Sequence, residues 1–440
     1  MQQTITHFIE HERERTYFML PFTMPPDIES MTLRYRYDRH LKNETQVGGG
    51  AFTGRNEANI IDLGLIAPDG TQVGASGSDK NEIYLSETDA TPGYRPYALV
   101  PGEWQILVGA YKVAPEGVTV TYELSFTRKK LRLLKGDLHT HTLASDGVLT
   151  AEELARHALR HGLDFVAITD HNQMISSDAL PRIPGITLIP GVEWTHYNGH
   201  ANFLGVDQPY DGTFATNTEE EARSRFISAR DRGAVITINH PFYKNLEFKF
   251  DIQSLPFDCL EVWNGPMQES NLRAIGYWQS LLMAGKKIPI CGGSDYHRST
   301  PFLFLGGPTT CVFAKSASPS DILSAVRQGH SYIIFSPDGP SLEFTSGGAL
   351  PGDTVSWPAN QTVEITADGL LTGDVVRIIT QAGEETLLQA PSNGQFRASY
   401  TMKGPGFARV EILRSFLPGI LPMLPALISN PIYFDETPES

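Results

Sequence analysis

Histidines and carboxylates recur at the ends of apolar runs in the middle of this 440-residue chain. His139 and His141 follow the run LLKGDL. In an extended chain residues i and i+2 point the same way, so both imidazoles can share one metal ion. Asp146 follows in ASDG, a loop able to bend its carboxylate back to the same mouth. His171 ends VAITDH, Glu193 ends ITLIPGVE, His200 opens HANFLGV behind Gly199, and His240 ends AVITINH. Asp295 and His297 end PICGGSDYH, again at i and i+2. Each of these alone reads as a hydrogen-bonded polar residue; their joint occurrence at successive strand ends reads as a metal centre. Imidazole and carboxylate without an obligatory thiolate suit zinc, manganese or iron. The set is too large for one ion and fits two or three ions sharing a bridging carboxylate. Two close cations lower the pKa of water and neutralise charge developing on phosphoryl or carbonyl oxygens.

Further residues near these ends have two readings each. His157 and His161, four apart in a helical run, read mainly as ordinary surface residues of a helix. Asp137 and Asp170 directly precede ligand candidates and either orient imidazoles or cap strand ends. Arg298, Tyr243 and Lys244 are candidate substrate contacts; Arg298 can grip a phosphate bidentately or form a surface salt bridge. Trp194, Tyr197, Trp263 and Asn264 either line an aromatic mouth or pack inside. Gly292-Gly293 resembles a phosphate nest but more simply permits a tight strand end.

The elements that must position these groups lie between residues 135 and 337. Apolar runs such as DFVAITDH, TLIPGVEW, AVITINHP and CLEVWNG alternate with amphipathic runs such as AEELARHALRHG and SPSDILSAVRQG. Thr150 with Glu153 forms a capping-box pattern, and Gly162 and Gly233 sit where C-terminal caps belong. The alternation predicts α/β structure with a mainly parallel sheet, and a β/α barrel would gather the strand ends on one face. Residues 1–134 show period-2 alternation broken by turns, which predicts an antiparallel β-sandwich. Residues 338–440 return to β character and predict a second, smaller sandwich, with a frayed tail at 435–440.

Composition narrows the classes. The length predicts about three domains. The net charge of -15, from 35 Lys+Arg against 50 Asp+Glu, disfavours a nucleic-acid polymer or an anionic membrane as partner. Cys259, Cys291 and Cys311 lack metal or disulfide spacing. The N-terminus lacks a secretory pattern. The apolar stretch 416–428 is broken by Pro418, Pro422 and Pro425 and is not a membrane span. A soluble cytoplasmic protein is expected, with sheet edges offering a route to a homodimer.

Taken in order, DLHTHTLASDG, AITDHN, GVEW, NHP and GSDYH resemble the successive motifs of the PHP domain, the polymerase and histidinol phosphatase family of metallohydrolases. The resemblance covers the middle segment, somewhat under half of the chain. The flanking text is similar to the CehA/McbA-like subgroup, in which a sandwich with runs like NIIDLGL precedes the PHP domain. That subgroup also shows GxE…GHxN, matched by Gly191, Glu193, Gly199, His200 and Asn202. The resemblance implies a distorted (β/α)7 barrel, flanked here by the two sandwiches, with a trinuclear site. By motif, His139, His141, Glu193 and Asp295 would hold one ion. Glu193 would bridge to a second held by His200 and His240, and Asp146, His171 and His297 would hold a third. The position of Asp146 is often a histidine in other branches. His196 competes with His200, and the GHxN pattern favours His200. Glu193, Asp295 and Arg298 are the residues expected to carry catalysis. The implied function is a metal-dependent phosphoesterase acting on small phosphate esters; the alternative is carbamate, amide or ester hydrolysis at the same centre. A non-enzymatic carbohydrate-binding protein leaves the ligand set unexplained. With two or three divalent ions bound, the pocket would be net positive despite the acidic chain.

Overall fold

The computed structural model describes residues 1–40, 57–357 and 359–436. It divides into two compact units, Met1–Lys130 and Leu131–Ser440. The first is built from β1 (Gln2–Ile9), β2 (Thr16–Met24), β3 (Ile28–Arg36), β4 (Ile60–Ile66), β5 (Gln72–Ser76), β6 (Glu82–Ser86), β7 (Gly102–Lys112) and β8 (Val118–Arg128). They form two four-stranded sheets, ordered β1-β8-β3-β6 and β2-β7-β4-β5. Alternation explains the packing: on β7, Trp104, Ile106 and Val108 are buried while Glu103 faces water. They share one core with Met31, Leu33, Ile61, Leu63 and Tyr122 from both sheets.

The second unit begins with β9 (Arg132–Asp137), β10 (Phe165–Ile168), β11 (Thr187–His196), β12 (Gly199–Leu204), β13 (Val235–Ile238), β14 (Cys259–Asn264), β15 (Ile290–Gly293), β16 (Thr309–Ala314) and β17 (Ser331–Ile334). Their order is β15-β14-β13-β12-β11-β10-β9-β16-β17. The pairs β9/β10, β10/β11, β13/β14 and β14/β15 are parallel, whereas β12 is antiparallel to both neighbours and β16 to both of its own. Every residue of β10, β13, β14 and β15 is buried, which accounts for their unbroken apolar runs. The helices are α1 (Ala151–Arg160), α2 (Glu219–Asp231), α3 (Glu269–Met283) and α4 (Pro319–Gln328). Thr150 and Glu153 form both arms of the capping box on α1, and Thr218 and Glu221 do so on α2. Gly162 and Gly233 take the left-handed conformation a C-terminal cap requires, at φ 76° and 92°.

The unit is mostly sheet with few helices, fewer than seven βα repeats would bring. One reason is local: β11 returns as β12 through a two-residue turn, Tyr197-Asn198, where a repeat would place a helix. At the far end, side chains tie β15 back to the sheet. Thr310 Oγ1 accepts from Gly292 N at 2.9 Å and donates to its carbonyl at 2.7 Å. Asn430 accepts from Ile290 N at 2.9 Å and donates to Ser331 Oγ at 2.9 Å.

The remaining strands are β18 (Ser341–Thr345), β19 (Thr354–Trp357), β20 (Thr362–Leu370), β21 (Val375–Thr380), β22 (Gly383–Gln389), β23 (Gly394–Thr401), β24 (Gly406–Arg414), β25 (Leu424–Ser429) and β26 (Ile432–Glu436). Strands β18, β20 and β23 form a small sheet of their own, while β25, β24, β21 and β22 continue the large sheet from β17. Tyr332, Ile333 and Ile334 pair with Ser429, Ile428 and Leu427. Trp278 of α3 shares a core with Phe407 and Ile428. Residues 338 onward, expected as a separate sandwich, therefore share a sheet and a core with the middle segment. Of the tail expected at 435–440, Asp435 and Glu436 belong to β26, and 437–440 lie outside the described residues. Cys259, Cys291 and Cys311 are buried free thiols. Among the described residues no helix is long and apolar enough to cross a membrane.

Candidate metal centre

The ends of β9, β10, β11, β13 and β15 and the start of β12 converge. Beyond β9, His141 N donates to the Tyr296 carbonyl at 2.9 Å, and beyond β15, Asp295 N donates to the His139 carbonyl at 2.9 Å. This short pairing sets the His139–His141 and Asp295–His297 segments side by side. Close packing at two glycines permits it. A Cβ on Gly293 would lie 2.4 Å from His139 Cβ, and one on Gly147 would lie 2.3 Å from the His141 carbonyl oxygen. The Gly292-Gly293 pair thus serves close approach; a Cβ on Gly292 would meet Ile333 at 2.8 Å.

All nine predicted ligand residues come together. Glu193, fully buried, lies at the middle: its carboxylate oxygens are 3.2 Å from His139 Nε2, 3.5 Å from His141 Nε2, 2.7 Å from His171 Nδ1, 3.1 Å from His200 Nδ1 and 3.4 Å from His240 Nε2. Asp295 Oδ1 is 3.0 Å from His141 Nε2 and 3.4 Å from His139 Nε2. On the open side, Asp146 Oδ1 lies 3.1 Å from His297 Nε2 and 3.7 Å from His171 Nε2. Four overlapping groups have ligand atoms within 4.8 Å of one another: His141, Asp146, His171 and His297; His139, His240 and Asp295; His139, His141 and Glu193; and His171, Glu193 and His200.

These residues fit divalent ions by a test of their own atoms. His139 Nε2, both ring nitrogens of His141, Glu193 Oε2, His240 Nδ1 and Asp295 Oδ1 are buried without a hydrogen-bond partner. Of these, His139 Nε2 and His141 Nε2 approach Asp295 Oδ1, and His141 Nε2 approaches Glu193 Oε2, within 3.5 Å but without hydrogen-bond directions. Each unpaired buried group costs about 1–3 kcal/mol. A cation among them removes that cost, so the clusters suggest divalent metal binding.

The electrostatics agree. Burial pushes the Glu193 carboxyl up, but the positive charge of His139 and the close imidazoles of His139, His171 and His200 outweigh it and hold it well below the usual range. Burial likewise opposes, and His139 and His141 enforce, ionisation of Asp295. Burial lowers His139, yet Asp295, Glu261 and Glu193 raise it well above the ordinary imidazole value. For His141 burial wins and its pKa falls.

Several residues outside the predicted set hold the ligands. Asn239 Nδ2 donates to Glu193 Oε1 at 2.8 Å and to Asn202 Oδ1 at 2.9 Å. Thr195 Oγ1 meets His171 Nδ1 at 2.7 Å. Glu261 Oε1 meets His139 Nδ1 at 3.0 Å. A signal for Glu261 was present: an acid inside the apolar run CLEVWNG needs a buried partner. Asp137 and Asp170 do not touch imidazoles. Asp137, pushed up to about 6 by burial against its hydrogen bonds, accepts from His139 N, Ser294 N, Ser294 Oγ and Gly306 N. Asp170 accepts from Thr142 N, Thr142 Oγ1 and Ser145 Oγ, each at 2.7 Å, which shapes the loop bearing Asp146.

His196 lies outside the cluster. Its ring stacks on Trp194 at 5.1 Å, and Nε2 meets the Thr216 carbonyl at 3.1 Å. Arg298 and Lys244 are exposed, and the Tyr243 ring stands 5.9 Å from that of His240. Trp194 and Trp263 belong to the core, while Tyr197 is exposed. The ring of His157 on α1 and that of His161, just past its end, lie 4.5 Å apart.

The family model described as PHP domain matches residues 137–227, the stretch that holds His139, His141, Asp146, His171, Glu193 and His200. The 5'-3' exoribonuclease Rnm of Salmonella typhimurium is 36% identical over 110 residues, 21% of this chain and 36% of that protein. The 3',5'-nucleoside bisphosphate phosphatase of Chromobacterium violaceum is 31% identical over 105 residues, 22% of this chain and 36% of that protein. The chain thus spans about a third of the length of these curated relatives. A solved two-domain protein from Bacteroides vulgatus, described as containing a predicted PHP-like metal-dependent phosphoesterase, shares 19% identity at a TM-score of 0.40, covering 64% of this chain and 90% of that one. The matches in sequence support the PHP family for the stretch 137–227.

Proposed function

We propose that the chain is a metal-dependent phosphoesterase acting on small phosphate esters at a di- or trinuclear centre. One observation carries the reading: nine ligand-type side chains meet, and five of them, His139, His141, Glu193, His240 and Asp295, hold buried nitrogen or oxygen atoms that find no hydrogen-bond partner. Zinc, manganese or iron, when bound, would supply the positive charge that makes water nucleophilic near neutral pH and offsets charge on the phosphoryl oxygens. His139, His141 and Asp295 would hold one ion, His200 and His240 a second, with Glu193 serving both, and Asp146, His171 and His297 would hold a third. Asp146 is 58% exposed, so the third group faces arriving substrate. Glu193 and Asp295, kept ionised, balance the cations, and exposed Arg298 grips the phosphate.

The reading extends to a distorted (β/α)7 barrel of the CehA/McbA-like type, closed at β15 by side chains. It also includes three segments at 1–134, 135–337 and 338–440, a small ester substrate with no nucleic-acid polymer or membrane partner, a homodimer through sheet edges, and a cytoplasmic setting. The relatives' names make a nucleoside bisphosphate the first substrate to try. The test is a panel of p-nitrophenyl phosphate, bis-p-nitrophenyl phosphate, a nucleoside 3',5'-bisphosphate, an RNA oligonucleotide and aryl carbamates, each with added manganese or zinc. Turnover of the phosphate monoesters, abolished by replacing His139 and His141 with Ala, supports the reading. Turnover of carbamates alone assigns the amide- and ester-cleaving alternative, and activity that survives the double replacement removes the metal mechanism.

A further inference from the structure

Glu261 lies in the middle of β14, buried to 2% exposure. Both of its oxygens are in use. Oε1 meets His139 Nδ1 at 3.0 Å. Oε2 accepts from the His240 backbone N–H at 2.8 Å and from Asn264 Nδ2 at 3.1 Å. Asn264 is itself held, because Asn271 at the start of α3 donates to its carbonyl at 3.0 Å. His240 stands at φ 26°, outside the regions a residue with a Cβ usually occupies, so its N–H needs a fixed acceptor. A Cβ on Gly293 would lie 2.8 Å from Glu261 Oε1, so the next strand presses the carboxylate into place.

We propose that Glu261 is a positioning residue that sets the ring orientation and tautomer of His139 and the backbone of His240, and thereby the affinity of the centre for its ions; this rests on the metal-centre reading above. An imidazole that donates Nδ1–H to a carboxylate keeps its Nε2 lone pair free for a cation. His139 Nε2 is the nitrogen that faces Glu193 and Asp295. One carboxylate thus serves two ligands from two different strand ends.

Glu261→Gln separates this role from simple space-filling. Two donors face Oε2 and one faces Oε1, so the Gln carbonyl turns toward His240 N and Asn264. Its NH2 then faces His139 Nδ1, which forces the proton onto Nε2 and blocks the lone pair that a cation needs. Mn2+ titrated into the chelator-stripped full chain is expected to bind E261Q about 10–100-fold more weakly than wild type. The melting curve of the stripped protein is expected to stay unchanged, an outcome that a purely structural role does not give. If E261Q does not fold, Glu261→Asp keeps the charge and withdraws it, and the same weakened Mn2+ binding is expected. Wild-type Mn2+ affinity in a folded variant overturns the assignment, and failure of both variants to fold assigns Glu261 to the fold instead. A wild-type chain that binds neither Mn2+ nor Zn2+ defeats the metal-centre reading itself, and is told apart by that result.

Discussion

Two buried glutamates in the second unit show opposite designs. Glu411 on β24 is 2% exposed, and each of its oxygens is paired. Arg409 Nη1 donates to Oε1 at 2.5 Å, and Arg377 donates to Oε2 through Nη2 at 2.5 Å and Nε at 2.9 Å. Arg409 is itself completed by Gln279 at 2.9 Å and by the Trp278 ring, 4.8 Å away. Glu193 is equally buried but is ringed by imidazoles, and its Oε2 has no hydrogen bond. Guanidinium is a permanent donor whose planar fork fits a carboxylate. Imidazole carries a lone pair as well as a proton, and five of them around one carboxylate cannot all point donors at it. The completed network holds the sheet together. The incomplete one suggests a site for a divalent ion.

Glu193→Gln is expected to have the largest effect: loss of bound metal and of hydrolysis, read by elemental analysis and by the ester panel. For wild type, Mn2+ at about 100 times its Kd adds about 2.7 kcal/mol to stability. That gain should vanish in E193Q, and retention of it would place the ions elsewhere. Next in size, Glu411→Gln leaves Arg409 buried with an incomplete partner and is expected to cost about 3–5 kcal/mol in denaturant unfolding. Its Mn2+ affinity per folded molecule should match wild type. A loss of metal there would mean that the two networks are not independent.

The pH dependence is smaller and has a definite sign. Burial pushes the Glu411 carboxyl up, but Arg409 and Arg377 outweigh it and hold it below its ordinary 4.5. The folded state therefore favours the ionised form. The stabilisation is fully present above pH 4.5 and is lost as the pH falls through the lower folded value. The stability gap between wild type and E411Q should narrow in acid, and a constant gap across that range refutes the assignment. Smallest is Asn239→Ala, which removes one donor from Glu193 Oε1. A drop in Mn2+ affinity of about tenfold is expected, measured by calorimetry.

Much of the site was legible because strand ends are marked in sequence by an apolar run stopping at a polar residue. HxH, DH, GVE, NH and DYH each stop such a run, and all of these ligand candidates meet in space. Glu261 was legible only as a buried acid in need of a partner; the partner was not, because it depends on β14 lying beside the turn after β9, a neighbour 122 positions away. Asp137 and Asp170 were legible as important but not by partner. Their acceptors serve backbone N–H groups and hydroxyls of loops, and loop paths are not encoded in local periodicity. Helix starts were readable to the residue at Thr150, since a capping box is a contact within one turn.

The sequence by itself determined the candidate ligand side chains, the alternation of strands and helices in the middle segment, and the two β-rich flanks. Those follow from residue type and from periodicity, which act over a few positions. Only the tertiary structure decided where one unit ends and the next begins. Strand β17 gives one edge to β16 and the other to β25, so residues 338 onward enter the sheet that carries the site. It also shows why His200, favoured by the GHxN pattern, and not His196 reaches Glu193, although both stand on the β11–β12 hairpin. The two histidines are four positions apart with a two-residue turn between them. The antiparallel register puts His200 beside Thr195 and turns His196 onto Trp194. Register is a long-range property of paired backbones, which no single strand contains.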